Sequence, residues 1–293
     1  MKRRDGRGGF YIPLAGAVIA ALAVGGCQAS DRSESGPAAT SPSQAASTGS
    51  APRSVSRLSA DAAAWRRWSL RPLRPAPESP ADKPVKLSTT GPVPVFTHIP
   101  TSQKVVFITV DDGLEKDPRF VRMMRDLKIP ITMFLMNNAI KSDYGYFKAL
   151  QAMGNHIQNH TLSHPPMNTI PLARQKEEVC GDQKVLTKEY GTAPLLFRPP
   201  YGAYNANTKI AVGECGPHAI VWWRESMEIR NLQYQAPDRK LRPGDIILAH
   251  FRGPKELKGT TMTEMFANLL KHIQEQGFAV ARLEDYIQPP AGR

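Results

Sequence analysis

Cysteine is nearly absent from this chain of 293 residues, which has three, at positions 27, 180 and 215. Cys180 and Cys215 stand too far apart, and too alone, to form a zinc-knuckle pair. Basic stretches interleaved with aromatic residues are also missing. Nucleic acid is therefore not an expected partner, although the formal net charge is +12. Of that charge, +7 precedes Lys104 and +5 lies from Lys104 onward. An excess concentrated in the first third fits attraction to anionic membrane or wall polymers, or no specific partner at all, rather than a base-reading surface. Large apolar side chains are scarce over 28–83, where stretches such as "SESGPAATSPSQAASTGSAPRS" cannot bury enough surface to offset the entropy of ordering. No internal repeat is present, which excludes a solenoid.

What is there begins with an export pattern. "MKRRDGRGG" is a cationic start, and an apolar run of about 17 residues follows, "FYIPLAGAVIAALAVGG". Cys27 comes directly after those small residues. This resembles the lipobox of bacterial lipoproteins, in which the cysteine is lipidated and becomes the first mature residue. An ordinary signal peptide or an uncleaved anchor would also export the chain. The expected organisation is a lipoprotein signal peptide over 1–26, a disordered Ser/Ala/Pro-rich linker over 27–83 and an ordered domain over 84–293. The expected location is the outer face of the cell membrane, held by a lipid on Cys27. "DAAAWRRWSLRPLRP" can form a short helix around Trp65 and Trp68 and is assigned to the tether. A flexible chain of about 60 residues reaches roughly 40–45 Å. In an oxidising compartment Cys180 and Cys215 can bridge. They fall on two helical patterns flanking one strand, so a disulfide is expected, with two buried thiols as the alternative.

From "KVVFITVDDG" onward, apolar runs alternate with amphipathic patterns. "VVFITV", "IPITMFLM", "NHIQNH", "PLLFRPP", "HAIVWW", "DIILAH" and "FAVARL" read as buried strands. Residues 117–128, 143–154, 171–190, 205–215 and 260–276 read as helices, the third of them stopped at Gly191. Such alternation predicts a parallel α/β fold, either an open sheet or a barrel.

In parallel α/β folds, sites form at the C-terminal ends of strands. Five strands are expected to deliver ionisable residues to that edge: Asp111 and Asp112, His160 and His164, Arg198, Arg224 and Glu225, and His250. Two histidines and a carboxylate suit a borderline-hard ion with an open position. Pro165 and Pro166 stop any helix after His164, and no glutamate stands beside His160, so this is not the HExxH helix of metalloproteases. One aspartate can complete a metal site while the other acts as a base, and His250 can supply an acid from another strand.

"TVDDG", "HTLSH", "RPPYG" and "ILAH", in this order, resemble the polysaccharide deacetylases of carbohydrate esterase family 4, over about residues 104–287. The resemblance implies a distorted (β/α) barrel of about seven parallel strands and a divalent metal, most often zinc, with cobalt or others accepted. Carried over motif by motif, Asp111 is the base, and Asp112, His160 and His164 are the metal ligands. Arg198 holds the base, the Tyr201 backbone N–H is the oxyanion donor, Leu248 lines the acetyl-methyl pocket and His250 is the acid. A cation beside Asp111 would orient it and keep it ionised.

One stretch departs from the family pattern of a tryptophan, a short acidic run and Asp-Trp. This chain has "WWRESMEI", with Trp222 as a substrate-binding residue. Glu225 and Glu228 fall where the family has aspartates, and Ile229 where it has the second tryptophan. Glu228 is assigned as the orienter of His250. The implied activity is hydrolysis of acetyl groups, N-acetyl first, from an extracellular polysaccharide such as peptidoglycan or a chitin-like oligomer. The protein is expected to work as a monomer without nucleic acid. The competing readings are a metal-dependent hydrolase of a small non-sugar amide and a non-catalytic wall-binding module.

Overall fold

The longest strand shows how the sequence builds the fold. Val105–Asp112 is buried at all eight positions, as its run of β-branched and aromatic residues requires of a strand covered on both faces. Val105 and Phe107 belong to an inner apolar cluster with Phe134 and Ile246. Val106, Ile108 and Val110 belong to an outer cluster with Phe120, Leu270 and Phe251. The two-residue period of a strand thus sends Thr109 and Asp111 inward with Phe107.

The computed structural model describes residues 62–291. The expected signal peptide, Cys27 and the first part of the linker lie outside the described residues. No described helix is long and apolar enough to cross a membrane. Numbered in chain order, the described strands are β1 (Val85–Lys86), β2 (Val95–Phe96), β3 (Val105–Asp112), β4 (Thr132–Leu135), β5 (His156–Asn159) and β6 (Leu196–Phe197). They continue as β7 (Ala219–Val221), β8 (Glu225–Met227), β9 (Leu232–Tyr234), β10 (Ile246–His250), β11 (Ala279–Val280) and β12 (Ile287–Gln288). The helices are α1 (62–67), α2 (Pro118–Leu127), α3 (Asn137–Ile140), α4 (Tyr144–Gln151), α5 (Leu172–Tyr190), α6 (Ala206–Cys215) and α7 (Met262–Glu275).

The main sheet runs β2-β7-β6-β5-β4-β3-β10-β8-β9, and β11 pairs with the start of β3. Pairing is parallel except between β8 and β9. β7 and β8 stand near opposite ends of that order, yet only 222–224 separate them in the chain. The chain therefore draws the two ends of the sheet together. His98, just past β2, adds an antiparallel bridge to Asp245 at the foot of β10. The result is a curled, parallel-rich sheet, the distorted barrel that the alternating pattern and the family resemblance imply. α5 ends as expected at Gly191, whose φ of 72° lets its N–H close on the Thr187 carbonyl. The structure joins α5 to α6 through a Cys180–Cys215 disulfide.

Order begins earlier than residue 84. Trp65 and Leu70 are buried in the outer core, the Trp68 indole N–H donates to Asp126 (3.0 Å), and Gln274 donates to the Arg71 and Pro72 carbonyls. Two tryptophans and a leucine suffice to dock a segment whose flanks read as tether.

Candidate active site

Consecutive strand residues point to opposite faces, so Asp111 and Asp112 could not both face one site in regular β-structure. The chain resolves this with a turn. Asp112 takes a φ of 74°, and the Gly113 N–H donates to the Asp111 carbonyl (3.1 Å), which closes a three-residue γ-turn. Gly113 is required next: its φ is 91°, and a Cβ there would lie 2.4 Å from Ile140 Cγ2.

The loop after β5 is equally constrained. Thr161 and His164 have φ values of 74° and 65°. The His164 N–H donates to Thr161 Oγ1 (2.9 Å), and the Thr161 N–H donates to Asn159 Oδ1 (3.1 Å). Two buried carboxylates of α5 grip the loop from outside. Asp182 accepts from the His160 N–H (3.2 Å) and the Asn137 N–H (3.1 Å). Glu178 accepts from the Ser163 N–H (2.8 Å) and hydroxyl (2.6 Å). Strained backbone held by surrounding bonds is a feature that concentrates at functional sites.

These turns gather one donor set. Asp112 Oδ1 lies 3.5 Å from His160 Nε2 and 3.4 Å from His164 Nε2. One ligand atom from each residue lies within 4.8 Å of the others. His160 Nδ1 stands 2.7 Å from the Arg198 carbonyl. A proton on Nδ1 donated there leaves the Nε2 lone pair facing Asp112. Asp112 Oδ1 is buried and has no hydrogen-bond partner, a costly state unless a cation completes it. Two imidazole nitrogens and a carboxylate oxygen fit a divalent ion of the zinc type.

Beside that set stands Asp111, 3.9 Å from His160 Nε2. Arg198, fully buried, donates from Nη1 to Asp111 Oδ1 and to Thr109 Oγ1, both at 2.7 Å. Its Nε donates to the Val221 carbonyl (3.0 Å) and its Nη2 to the Trp222 carbonyl (3.2 Å). The guanidinium thus fixes the Asp111 carboxylate while tying β3 and β6 to β7. Burial nevertheless raises the Asp111 pKa above its ordinary value, against the opposing charges of Arg198 and His160. As expected, the arginine's charge favours the ionised carboxylate, and desolvation works against it. At Asp112, burial works upward, but His160, His250 and His164 outweigh it and hold the carboxyl below the usual range. Burial pushes the His164 imidazole down to about 4, helped by His160.

The other expected residues divide. Leu248 and His250 pair in register with Thr109 and Asp111, so both face the barrel interior below and beside Asp111. Burial pushes the His250 pKa down to about 3, with Asp112 opposing and Arg252 adding. Tyr201 has a φ of 57° and is 71% exposed, with its ring 4.6 Å from the His164 ring. Trp222 packs beneath this turn: a Cβ on Gly202 would lie 2.7 Å from Trp222 Cζ2. Its ring stacks on Trp223 at 5.2 Å.

Glu228 does not take the assigned place. It lies in the turn after β8, exposed, with its N–H on the Asn231 carbonyl (3.0 Å) and its carboxylate 3.4 Å from Ser226 Oγ. Among the described residues it makes no hydrogen bond to His250. Glu225 departs further. The break at 222–224 makes it the first residue of β8, paired opposite Ile247 rather than at the upper edge. It is buried, and burial followed by the neighbouring Asp245 pushes its pKa up to about 9. Arg224 pairs with Asp245 (3.0 Å) in the same cluster, so neither residue reaches the site edge as expected.

Sequence reading missed the bracing pair Glu178 and Asp182, for which the only signal was their four-residue spacing on one helix face. It also missed Arg252, whose Nη2 lies 3.7 Å from Asp112 Oδ2.

The curled barrel and this constellation define a barrel hydrolase with a place for a divalent ion. The polysaccharide deacetylase family model matches residues 98–220. An uncharacterised protein of Streptomyces coelicolor is 39% identical over 195 residues, covering 66% of this chain and 77% of that protein. A peptidoglycan-N-acetylglucosamine deacetylase of Bacillus cereus is 23% identical over 203 residues, covering 66% and 93% respectively. Among solved structures, the Bc1960 peptidoglycan N-acetylglucosamine deacetylase aligns with a TM-score of 0.57 at 21% identity, over 69% of this chain and 96% of that one. BA3943, a family pseudoenzyme from Bacillus anthracis, aligns at 0.55 and 18%, over 67% and 70%. The chain belongs to the polysaccharide deacetylase family, whose active members are metal-dependent hydrolases acting on acetyl groups.

Proposed function

We propose that this protein removes N-acetyl groups from an extracellular polysaccharide, peptidoglycan first, at a divalent ion held by Asp112, His160 and His164. Zinc is the ion proposed. The observation that carries the reading is a buried carboxylate, Asp111, clamped by Arg198 at the edge of that donor set. A structural site has no use for such a base.

When bound, the ion would polarise the acetyl carbonyl and lower the pKa of water. Asp111, raised by burial, accepts the proton of the attacking water. Arg198 holds its carboxylate and restricts it to one orientation. The Tyr201 backbone N–H is the donor for the oxyanion, and Leu248 gives the methyl group an apolar wall. His250 is neutral at rest. The proton that Asp111 takes from water passes to its strand neighbour His250 and on to the departing nitrogen as the C–N bond breaks, which releases acetic acid and returns both side chains to their starting states. The exposed Tyr201 ring offers a face on which a sugar can stack, which favours a saccharide over a small amide. The lipid anchor proposed at Cys27 would hold the domain outside the cell membrane, near the wall.

The pseudoenzyme among the structural neighbours, together with the displaced Glu228, gives the non-catalytic module its support. The test is acetate release by the zinc-loaded protein from peptidoglycan, chitin oligomers and acetylxylan. Release that needs metal supports the deacetylase. Saturable polysaccharide binding with no release from any substrate, metal supplied, supports the module.

A further inference from the structure

A cavity of about 520 Å³ opens beside His250, and its lining includes Glu228, Arg230, Arg252, Glu256 and Lys258. It adjoins the reaction centre through two of its residues: His250, and Arg252 with its contact to Asp112. A sugar filling it would adjoin the one whose acetyl group is under attack. The charges of the lining are unequal in their commitments. Glu256 accepts from the Gly253 N–H (3.3 Å), and Glu228 from Ser226 Oγ. Among the described residues, neither the Arg230 guanidinium nor the Lys258 ammonium has an ion-pair or hydrogen-bond partner. Arg252 has only the long contact to Asp112.

The hydrogen bonds of Glu228 and Glu256 leave both carboxylates charged, so three cations and two anions give the wall a single excess positive charge, with Arg230 and Lys258 outside any ion pair among the described residues; a neutral sugar has no use for that excess. An anion does, because a carboxylate accepts charge-assisted bonds from guanidinium and ammonium donors. The cavity's volume and the apolar part of its wall, Met227, Ile229, Leu257 and Met265, leave room for a substituent bulkier than a hydroxyl. We infer that this cavity is a subsite for a carboxylate-bearing sugar residue adjoining the acetylated one, an inference that rests on the deacetylase reading above. The chemistry fits a lactyl ether on an amino sugar or a uronic acid in a branched xylan.

The test compares three kinds of oligomer of equal length. The first alternates N-acetylglucosamine with N-acetylmuramic acid bearing free lactyl carboxylates, the second has those carboxylates converted to primary amides, and the third is an acetylated xylan fragment carrying a uronate. Initial rates of acetate release are measured on the zinc-loaded protein, and equilibrium binding in an Asp111→Asn background. The carboxylate form is expected to exceed the amide form about tenfold in kcat/KM and in affinity, the scale of one charge-assisted bond in partial solvent. The preference should shrink as salt is raised. Arg230→Gln combined with Lys258→Gln should abolish it while leaving the rate on the amide form unchanged. Lys188→Gln, which removes an exposed charge on α5, should leave the preference intact and so separates the subsite from overall charge. Which of the lactyl and uronate probes is preferred identifies the source of the carboxylate. Equal kcat/KM on carboxylate and amide forms, or loss of the preference in Lys188→Gln, overturns the subsite and leaves the deacetylase standing. Carboxylate-dependent binding without acetate release would do the reverse.

Discussion

Replacing Arg198 with lysine tests how the site is held. Arg198 makes four hydrogen bonds from three nitrogens, to Asp111, Thr109, Val221 and Trp222, and its guanidinium lies 4.3 Å from the Phe134 ring centroid. A lysine ammonium is a single donor point. At best it keeps Asp111 and Thr109, which share one guanidinium nitrogen. The Val221 and Trp222 carbonyls then lose their donor, and each buried group left unpaired costs about 1–3 kcal/mol. Destabilisation of about 2–6 kcal/mol follows, with charge conserved. Urea unfolding followed by circular dichroism measures it, with the slope m checked for constancy. Acetate release should also fall at least tenfold, because Asp111 loses its fixed orientation. A lysine variant within 0.5 kcal/mol of the parent would show that the positive charge, not the planar fork, is what this position needs, and the positioning argument would fail.

Removing the disulfide with Cys180→Ser and Cys215→Ser opens a loop of 35 residues. Chain entropy puts the loss near 4 kcal/mol, which should lower Tm by roughly 10 °C, and a change under 2 °C would contradict it. Gly113→Ala must hold a φ of 91° with a Cβ pressed on Ile140; left-handed strain and overpacking together predict a loss of about 2–5 kcal/mol, measured by thermal melting. Folded Glu225 keeps its proton to about pH 9, whereas the unfolded chain releases it near 4.5. Folding therefore takes up a proton between those values, and stability falls as pH rises across the window. Glu225→Gln should flatten that fall and raise Tm relative to the parent at pH 8 more than at pH 5; parallel Tm profiles would show that this carboxyl does not titrate as argued.

Much of the frame was legible because strands covered on both faces leave long apolar runs, and "VVFITV" and "DIILAH" have no other reading in an α/β chain. The gathering of side chains was legible where a motif sits directly at a strand end, as at Asp111, Asp112, His160 and His164. Legibility failed where local pattern and tertiary role diverge. Trp65 and Leu70 are too few among the prolines and alanines around them to announce a docked segment. Glu178 and Asp182 look like a solvated helix face until the loop they grip is in place. Glu225 and Glu228 were displaced by a break of three residues, 222–224, which periodicity does not register.

The central claim is that Asp111 acts as a base beside a metal held by other residues. Asp111→Asn is therefore the most direct measurement, with zinc content and acetate release read on the same preparation. The account predicts a protein that keeps stoichiometric zinc and loses release at least a thousandfold, while His160→Ala loses the zinc itself. Asp111→Asn with undiminished release, or His160→Ala with undiminished zinc, would contradict it.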